Sequence, residues 1–331
     1  MAASNLALFW AGVLAFAILV YVILDGFDLG VGMLFGTTRD ESHRVDMMNS
    51  IAPYWDGNET WLIVIGAGLF AAFPAVYAVF LGAFYIPVLL LLFGLIFRGI
   101  AFEFRYRTER LRWLWDWGFC FGSSVVAFVQ GAAVGAMIEG IPVANGQYAG
   151  GTFGWLKPFP VLTGIGLVIG YTLLGAGWLV LKSEGELRDW ARARIPWLAG
   201  AVLLLMVVSV ALTLNHSAIA QSHWGERRWG VVFPVVGILA LLGIVRSART
   251  RYDAVPFAMT ALFFLCAFLT LGVMFWPYLI PYTITVASAA APEASLSFLF
   301  WGAGLCVLPV VAVYTLGIYW VFRGKVRKES I

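Results

Sequence analysis

Charged residues, histidines and cysteines are all scarce in this chain. Only 12% of its 331 residues are charged and 62% are hydrophobic, a composition that excludes an ordinary soluble globular protein. Cys120, Cys266 and Cys306 lie inside apolar runs without a CxxC pair, so the cysteines indicate neither a disulfide framework nor a thiolate metal site. The net charge of +3 is too small to indicate a nucleic-acid partner.

The three histidines do not indicate a haem or metal site either. His43, His216 and His223 are the only three, and all of them lie in or at the edges of predicted loops. A haem buried among helices usually has an axial histidine, and a methionine on an apolar helix is far more often a packing residue than a ligand. We therefore predict that the chain by itself binds neither haem nor a metal ion.

Long apolar runs occupy most of the remaining sequence. A run of about 20 apolar residues is long enough to cross a bilayer as a helix, so we predict an all-α polytopic membrane protein in a single domain, residues 1–331. The uncharged stretch 60–97 exceeds one crossing, and we divide it at Phe73-Pro74 because proline ends helices. The nine predicted spans are 6–35, 50–73, 75–102, 113–139, 158–182, 195–215, 229–246, 255–279 and 295–322.

Basic residues are distributed unequally between the predicted loops. With the N-terminus outside, the external segments hold only Lys157, Arg227 and Arg228 of the 21 lysines and arginines, and Arg98 lies within the third span. All the others fall on the opposite side. Because cytoplasmic loops are enriched in lysine and arginine, we predict a periplasmic N-terminus and a cytoplasmic C-terminus.

Several charged residues lie inside or beside the apolar runs. Asp25 and Asp28 are near the end of the first predicted span, Asp56 and Glu59 are near the start of the second, and Arg98 is near the end of the third. A charge at the bilayer centre costs about 2.5 to 3.5 kcal/mol on insertion scales, so such residues tend to mark ion paths or binding sites. The predicted orientation places them all in the inner half of the membrane, around a polar chamber that faces the cytoplasm.

Asp56 is the strongest candidate for proton transfer. It lies in the turn 55–58 with no obvious partner of its own, and we place Asp25 and Glu59 on the same path. Buried carboxylates near an arginine are suited to hold or relay a proton.

A second group of residues has two open interpretations. Asp28 and Arg98 either belong to the group that holds or relays a proton or form an ion pair that only fixes helix packing. Trp55 is able to stack on a quinone ring, although tryptophan at the membrane interface is common without any ligand. Asp116, at the start of the fourth span, lies on the same side of the membrane and is assigned to this group.

The motifs in the first third of the chain carry a resemblance. The residues DGFDLGVGML at 25–34, NSIAPYWDGNETWL at 49–62, LFAAFPAVY at 69–77 and FRGIAFEFR at 97–105 occur in this order, followed by WDWG at 115–118. This string is similar to subunit II of the cytochrome bd quinol oxidases. The short external loop 215–228 resembles members described as cyanide-insensitive oxidases.

The resemblance implies a fold and a partner. Subunit II of that family has nine spans, arranged as two four-helix bundles and one peripheral helix. It is the haem-free companion of subunit I, which carries haems b and d, or haem b only, oxidises quinol and reduces dioxygen to water. The complex generates proton-motive force without pumping, in the bacterial inner membrane. A small single-span accessory subunit, membrane lipid and a structural quinone are the further partners implied.

The resemblance also implies roles for particular residues. The position of Asp56 belongs to a cytoplasmic proton route, and the positions of Trp55, Arg98 and Asp28 lie around a structural quinone in some members. The position of Trp61 lies near an oxygen entry path.

Two other functions compete with the oxidase subunit. An autonomous transporter would use the intramembrane carboxylates to bind a cation, and it would be favoured by inverted repeats with interrupted helices. No matching pair of broken helices is evident in the sequence. The other alternative is a structural scaffold with inert ion pairs.

Overall fold

Long helices make up most of the fold. A computed structural model describes residues 3–108, 110–214, 227–247 and 252–326. In chain order the helices are α1 Asn5–Phe35, α2 Glu41–Ile51, α3 Trp55–Ala72, α4 Pro74–Phe104, α5 Arg112–Glu139, α6 Pro158–Lys182, α7 Gly185–Leu214, α8 Val232–Ser247, α9 Ala254–Phe275, α10 Val286–Ala289, α11 Glu293–Leu299 and α12 Leu308–Val321. A 3₁₀ turn, Arg228–Val231, precedes α8, and a π-helical segment, Phe300–Val307, joins α11 and α12 into one terminal rod.

Two short antiparallel hairpins interrupt the helical pattern. Strand β1, Val143–Ala144, pairs with β2, Gln147–Tyr148, in the connection between α5 and α6. Strand β3, Tyr278–Ile280, pairs with β4, Ile284–Thr285, after α9.

Eight helical segments of the described chain are long and apolar enough to cross a membrane. They correspond to all the predicted spans except the second. The helix of that span, α3, carries Asp56, Asn58 and Glu59 in its first turns. The protein is thus a multi-span membrane protein, whereas the count of nine spans and the sidedness of the termini remain predictions.

The helices pack as two groups of four, as predicted. Helices α1, α3, α4 and α5 form one group, and α6, α7, α8 and α9 form the other. The groups meet where α1 and α5 pack against α6, and the terminal rod lies outside them against α1 and α3. At that junction the ring of Phe27 stacks on Trp178 at a centroid distance of 3.9 Å.

Two prolines shape the hairpin formed by α3 and α4. The predicted division at Phe73-Pro74 is confirmed, because α3 ends at Ala72 and Pro74 is the first residue of α4. Inside α4, Phe84 has non-helical dihedral angles three residues before Pro87. A proline in a helix interior removes one backbone hydrogen bond and clashes with the preceding turn, which explains the kink.

Three predicted boundaries were wrong. The second span does not start at residue 50, because a turn at 52–54 containing Pro53 separates the unpredicted helix α2 from α3. The sixth begins at Gly185 instead of 195, so Arg188, Arg192 and Arg194 are helical residues. The eighth ends at Phe275, four residues before the predicted end, and a hairpin follows.

The end of the terminal rod is anchored by a buried lysine. The Lys182 ammonium group donates to the Phe322 carbonyl at 2.6 Å, to the Gly324 carbonyl at 3.2 Å and to the Tyr54 hydroxyl at 2.8 Å. In return the Val326 N–H donates to the Lys182 carbonyl. Lys182, the last residue of the predicted fifth span, is 5% exposed.

Candidate functional site

Helices α1, α3 and α4 bring one arginine and three carboxylates together. The Arg98 Nη1 atom donates to Asp25 Oδ1 at 3.0 Å and to Glu59 Oε1 at 2.9 Å. Its Nη2 atom is 3.9 Å from Asp28 Oδ2. We call Asp25, Asp28, Glu59 and Arg98 the Arg98 cluster. The structure thus unites residues that the sequence had assigned to two separate roles, a proton path and a quinone site or ion pair.

The spacing of Asp25 and Asp28 along α1 places both side chains against the same neighbouring helices. Residues three apart share a helix face, so Asp25 and Asp28 point together towards α3 and α4. Phe27, between them in sequence, points away towards α6 and stacks on Trp178. Gly30 lets the α6 backbone come close, because a Cβ atom there would lie 1.9 Å from the Tyr171 carbonyl oxygen. These contacts hold the carboxylate-bearing turns of α1 in place.

Asp28 has a donor of its own. The Asn58 amide donates to Asp28 Oδ2 at 2.6 Å and to the Leu24 carbonyl at 3.3 Å. The Tyr319 hydroxyl, from the terminal rod, donates to Asn58 Oδ1 at 3.1 Å. Asn58 had a sequence signal, as an amide within the carboxylate-rich turn, whereas no pattern connected Tyr319 to this site.

Negative charge is in excess within the Arg98 cluster. Arg98 is 1% exposed, and Asp25 and Asp28 are 0% exposed. Asp25 Oδ2, Asp28 Oδ1, Arg98 Nε and Arg98 Nη2 are buried without a hydrogen-bond partner among the described residues. One guanidinium compensates only one of three carboxylates, and burying uncompensated charge is strongly unfavourable. The arrangement therefore favours binding of at least one proton.

Exposure decreases along α3 towards this cluster. Asp56 is exposed in the first turn of α3, and within the described chain its carboxylate forms no hydrogen bond or ion pair. Glu59 follows three residues later on the same face, with a side chain that is 22% exposed. Arg98 then links Glu59 to the fully buried Asp25. The carboxylates thus run from the surface into the protein.

Both candidate tryptophans are in contact with other rings. Trp55 stacks on Phe102 of α4 at a centroid distance of 5.4 Å and lies beside Gly99. Trp61 is 4% exposed, donates from Nε1 to the Thr315 hydroxyl at 3.3 Å and meets the edge of Phe16 at 5.9 Å.

Asp116 belongs to a different cluster. Its carboxylate accepts from Arg44 Nη1 at 2.7 Å and from Arg105 Nε at 2.6 Å. Arg105 Nη2 also donates to both oxygens of Glu41 at 2.9 Å, and Arg112 lies 3.3 Å from Glu41. We call these five residues the Arg105 cluster. Assigning Asp116 to the group of Asp28 and Arg98 was wrong in this respect, because α2, which supplies Arg44 and Glu41, was not predicted.

The charges of the Arg105 cluster indicate a structural role. Burial alone would lower the pKa of Arg105, but the hydrogen bonds to Glu41 and Asp116 outweigh it and raise that pKa above the usual arginine range. The guanidinium therefore stays charged at any pH at which the protein works. The faces of Arg44 and Arg105 also lie about 5 Å from the Phe35 ring centroid.

Histidine contributes little to the described site. His43 lies against the edge of Trp190 at a centroid distance of 5.9 Å, whereas His216 and His223 lie outside the described residues. Within the described ranges no three His, Cys, Asp or Glu side chains are grouped in a way that would hold a metal ion. The absence of haem from the chain remains a prediction.

Known proteins match this chain over nearly its whole length. The family model described as cytochrome bd terminal oxidase subunit II matches residues 6–322. Cytochrome bd-I ubiquinol oxidase subunit 2 of Escherichia coli K12 is 32% identical, over 94% of this chain and 92% of that protein. Cytochrome bd ubiquinol oxidase subunit 2 of Bacillus subtilis 168 is 30% identical, over 97% of both.

A solved structure supports the fold independently. A chain of the bd oxidase from Geobacillus thermodenitrificans superposes with a TM-score of 0.79, covering 96% of this chain and 99% of that one. Its sequence identity is 17%, so this match carries the arrangement of the helices and nothing more.

Proposed function

This chain belongs to the cytochrome bd terminal oxidase subunit II family, and from this membership we propose that it supplies a cytoplasmic proton route to the quinol oxidase complex of which it is a subunit. The family resemblance seen in the motifs is thereby confirmed. The relatives are ubiquinol oxidase subunits of bacteria, and the apolar helices of the described chain support a place in the bacterial inner membrane. The partner implied by a second subunit is subunit I.

The observation that carries the proposal is the line of carboxylates from the surface to the buried cluster. Asp56 takes up a proton from the aqueous side, because it is exposed and unpaired within the described chain. Glu59, three residues on, receives it. The excess negative charge of the Arg98 cluster then provides the electrostatic attraction for that proton.

Arg98 couples the steps of this route. One nitrogen, Nη1, contacts both Glu59 and Asp25. When Glu59 is protonated its attraction for the guanidinium is lost, so Arg98 pairs with Asp25 alone. When the proton moves on, the shared contact is restored. The proton passes between oxygen atoms without any change of oxidation state, and from the cluster it continues towards subunit I.

The redox centres belong to the partner in this proposal. We place the haems, b and d or b only, in subunit I, where they supply the oxygen-reducing chemistry. This chain supports subunit I. We treat residues 1–331 as one integral membrane domain, because α1 and α5 pack directly against α6. Apolar side chains exposed on the terminal rod, such as Trp301 at 67% and Leu316 at 71%, offer a surface to membrane lipid and to a small single-span accessory subunit.

A quinone does not fit the residues proposed for it. The ring of Trp55 is partly available, but Arg98 and Asp28 are enclosed by protein, so a quinone ring has no contact with them in this arrangement. Trp61 remains our candidate for lining an oxygen entry path, since it is surrounded by the apolar residues Ala17, Leu62, Ile65 and Val311.

The experiment replaces the two acidic residues of α3 in the assembled oxidase. We expect Glu59→Gln to lower quinol-driven oxygen consumption about tenfold or more, because a positioned proton-transfer group typically contributes a factor of 10² to 10⁴. Asp56→Asn should have a smaller effect in the same direction, since water reaches that position. Haem absorption spectra should be unchanged in both variants.

A matched control is available on α4. Glu103 is 65% exposed and, among the described residues, pairs with Arg107 four residues on, so Glu103→Gln should leave turnover at the wild-type level. Wild-type oxygen consumption and proton uptake in both Glu59→Gln and Asp56→Asn would refute the proton route.

A further inference from the structure

A line of hydrogen bonds connects the terminal rod to the Arg98 cluster. The Tyr319 hydroxyl, on α12, donates to Asn58 Oδ1 at 3.1 Å, and Asn58 Nδ2 donates to Asp28 Oδ2 at 2.6 Å. The same nitrogen donates to the Leu24 carbonyl at 3.3 Å. Every link in this line is a direct hydrogen bond, so the line is continuous from the rod to the carboxylate. The proton route proposed above uses neither Tyr319 nor Asn58.

The partners of Asn58 fix the orientation of its amide. Leu24 and Asp28 lie one turn apart on α1 and both present oxygen acceptors, so they bind the amide nitrogen. The amide oxygen faces the other way and needs a donor, because Asn58 is 1% exposed. Among the described residues Tyr319 supplies that donor. Without the Tyr319 hydroxyl the amide oxygen would be left unsatisfied, which favours displacement of the side chain.

Asn58 also affects the position of Glu59, the next residue of α3. The two bonds from Asn58 tie the start of α3 to the part of α1 that carries both aspartates. Glu59 and Asp25 share the Arg98 Nη1 atom, at 2.9 and 3.0 Å. Proton transfer needs donor and acceptor within hydrogen-bond reach. A displacement of Asn58 would therefore change the distances on which the route through Glu59 depends.

Tyr319 is itself held in a defined position. Its ring lies against that of Tyr54 at a centroid distance of 4.7 Å. Three residues later, the Phe322 carbonyl accepts from Lys182 at 2.6 Å, and this bond anchors the end of the rod. The hydroxyl is thus brought to Asn58 by a packed ring on an anchored helix.

We propose that Tyr319 and Asn58 are positioning residues for the proton route. The terminal rod holds the Asn58 amide through Tyr319, and the amide in turn presents its nitrogen to Asp28 and keeps Glu59 within reach of Arg98. Neither positioning residue carries the transferred proton. The inference rests on the proton route proposed above and adds the terminal rod to the elements on which that route depends.

Oxygen consumption by the assembled oxidase tests the role of Tyr319. Tyr319→Phe removes the hydroxyl and keeps the ring, so the complex should assemble with unchanged haem spectra. We expect kcat to fall about fivefold, the effect of losing one neutral hydrogen bond, while the apparent KM for quinol stays the same. The ratio of turnover in H2O to turnover in D2O should rise, because proton transfer then limits the rate more strongly.

A double variant shows whether Tyr319 acts through Asn58. Asn58→Ala removes the bonds to Asp28 and Leu24 and should lower kcat about tenfold or more, since a charged acceptor loses its donor. In the Asn58→Ala background, Tyr319→Phe should cause no further loss of turnover, because residues that act through one another are not additive.

A matched control is available on the same rod. Tyr314 is 50% exposed, and its hydroxyl forms no hydrogen bond among the described residues. Tyr314→Phe makes the same chemical change as Tyr319→Phe and should leave both turnover and the isotope ratio at the wild-type level. The comparison of these two variants decides the proposal even if Asn58→Ala yields no complex.

Three outcomes would overturn the proposal. These are equal turnover and isotope ratio in Tyr319→Phe and Tyr314→Phe, a raised quinol KM at unchanged kcat in Tyr319→Phe, and a further loss when Tyr319→Phe is added to Asn58→Ala. Each of them would leave the proton route standing if Glu59→Gln still slows turnover. Wild-type turnover in Glu59→Gln and Asp56→Asn would instead remove the route itself.

Discussion

The Arg98 cluster and the Arg105 cluster are built from the same residue types but balance their charges differently. In the first, one arginine faces three carboxylates, and four buried polar atoms lack a hydrogen-bond partner among the described residues. In the second, three arginines share two carboxylates, Arg105 binds both oxygens of Glu41, and two buried nitrogens, Arg105 Nη1 and Arg112 Nε, lack a hydrogen-bond partner among the described residues. The first has excess negative charge inside the protein and the second has excess positive charge at its edge.

The difference separates the group that we propose to exchange protons from a group that holds helices together. Arg105 has a pKa raised above the usual range by its carboxylate partners. A raised pKa adds stability that is present below the unfolded-state value and is lost only when the pH rises through the folded-state value. For an arginine that loss lies far above working pH, so the contribution of Arg105 is constant. An unbalanced buried set of carboxylates is where a proton can be taken up and released.

The largest effect should come from removing the only cation of the Arg98 cluster. Arg98→Leu leaves three carboxylates without a counter-charge, and breaking a buried ion pair costs about 3 to 5 kcal/mol. We expect little or no assembled complex, measured as the yield of haem-containing oxidase after detergent extraction. Arg98→Lys should recover part of the yield, because it keeps the charge but not the shared contact. A normal yield of active complex from Arg98→Leu would contradict the charge argument.

An intermediate effect is expected in the Arg105 cluster. Asp116→Asn replaces the charged acceptor of Arg44 by a neutral one and leaves Arg105 with Glu41 as its only charged acceptor in the cluster. Losing a hydrogen bond to a charged group costs about 1.5 to 3 kcal/mol. The thermal denaturation midpoint of the complex should fall, whereas turnover per assembled complex and its dependence on pH should match the wild type. A changed pH profile in Asp116→Asn would show that the two clusters are not functionally distinct.

The smallest effect should come from Glu41, the exposed member of the same cluster. Its side chain is 47% exposed, and ion pairs of exposed groups are worth about 0 to 1 kcal/mol. Glu41→Gln keeps acceptor oxygens for Arg105, so the thermal midpoint should change by less than in Asp116→Asn and turnover should stay constant. A loss of stability in Glu41→Gln equal to that in Asp116→Asn would mean that burial does not set the ranking.

Much of the fold was accessible to sequence patterns. Continuous apolar runs indicated the long helices, and Pro74 marked the division between α3 and α4. Helix α2 was missed because it is short and polar, with Glu41, Ser42, His43 and Arg44 in its first turns. The start of α7 was placed too late because its charged first turns resemble a loop in a search for apolar runs.

The sequence identified more of the residues of the candidate site than of the contacts between them. Asp25, Asp28, Glu59 and Arg98 were recognisable as charges in or beside apolar runs. The pairing of Arg98 with Asp28 was the expected one, yet Asp25 and Glu59 are its closer partners. Asn58, an amide within the carboxylate-rich turn, was an overlooked polar residue with a usable signal.

By itself the sequence determined that this protein is a helical membrane protein with acidic groups near one end of its first helices, because hydrophobicity and charge are properties of single residues and short segments. Only the tertiary structure decided which charges balance one another. Asp116 joined Arg105 instead of Arg98, and Glu59 and Arg98 came to Asp25 from two other helices. Such contacts depend on the close approach of helix faces distant in sequence, and no local pattern encodes them.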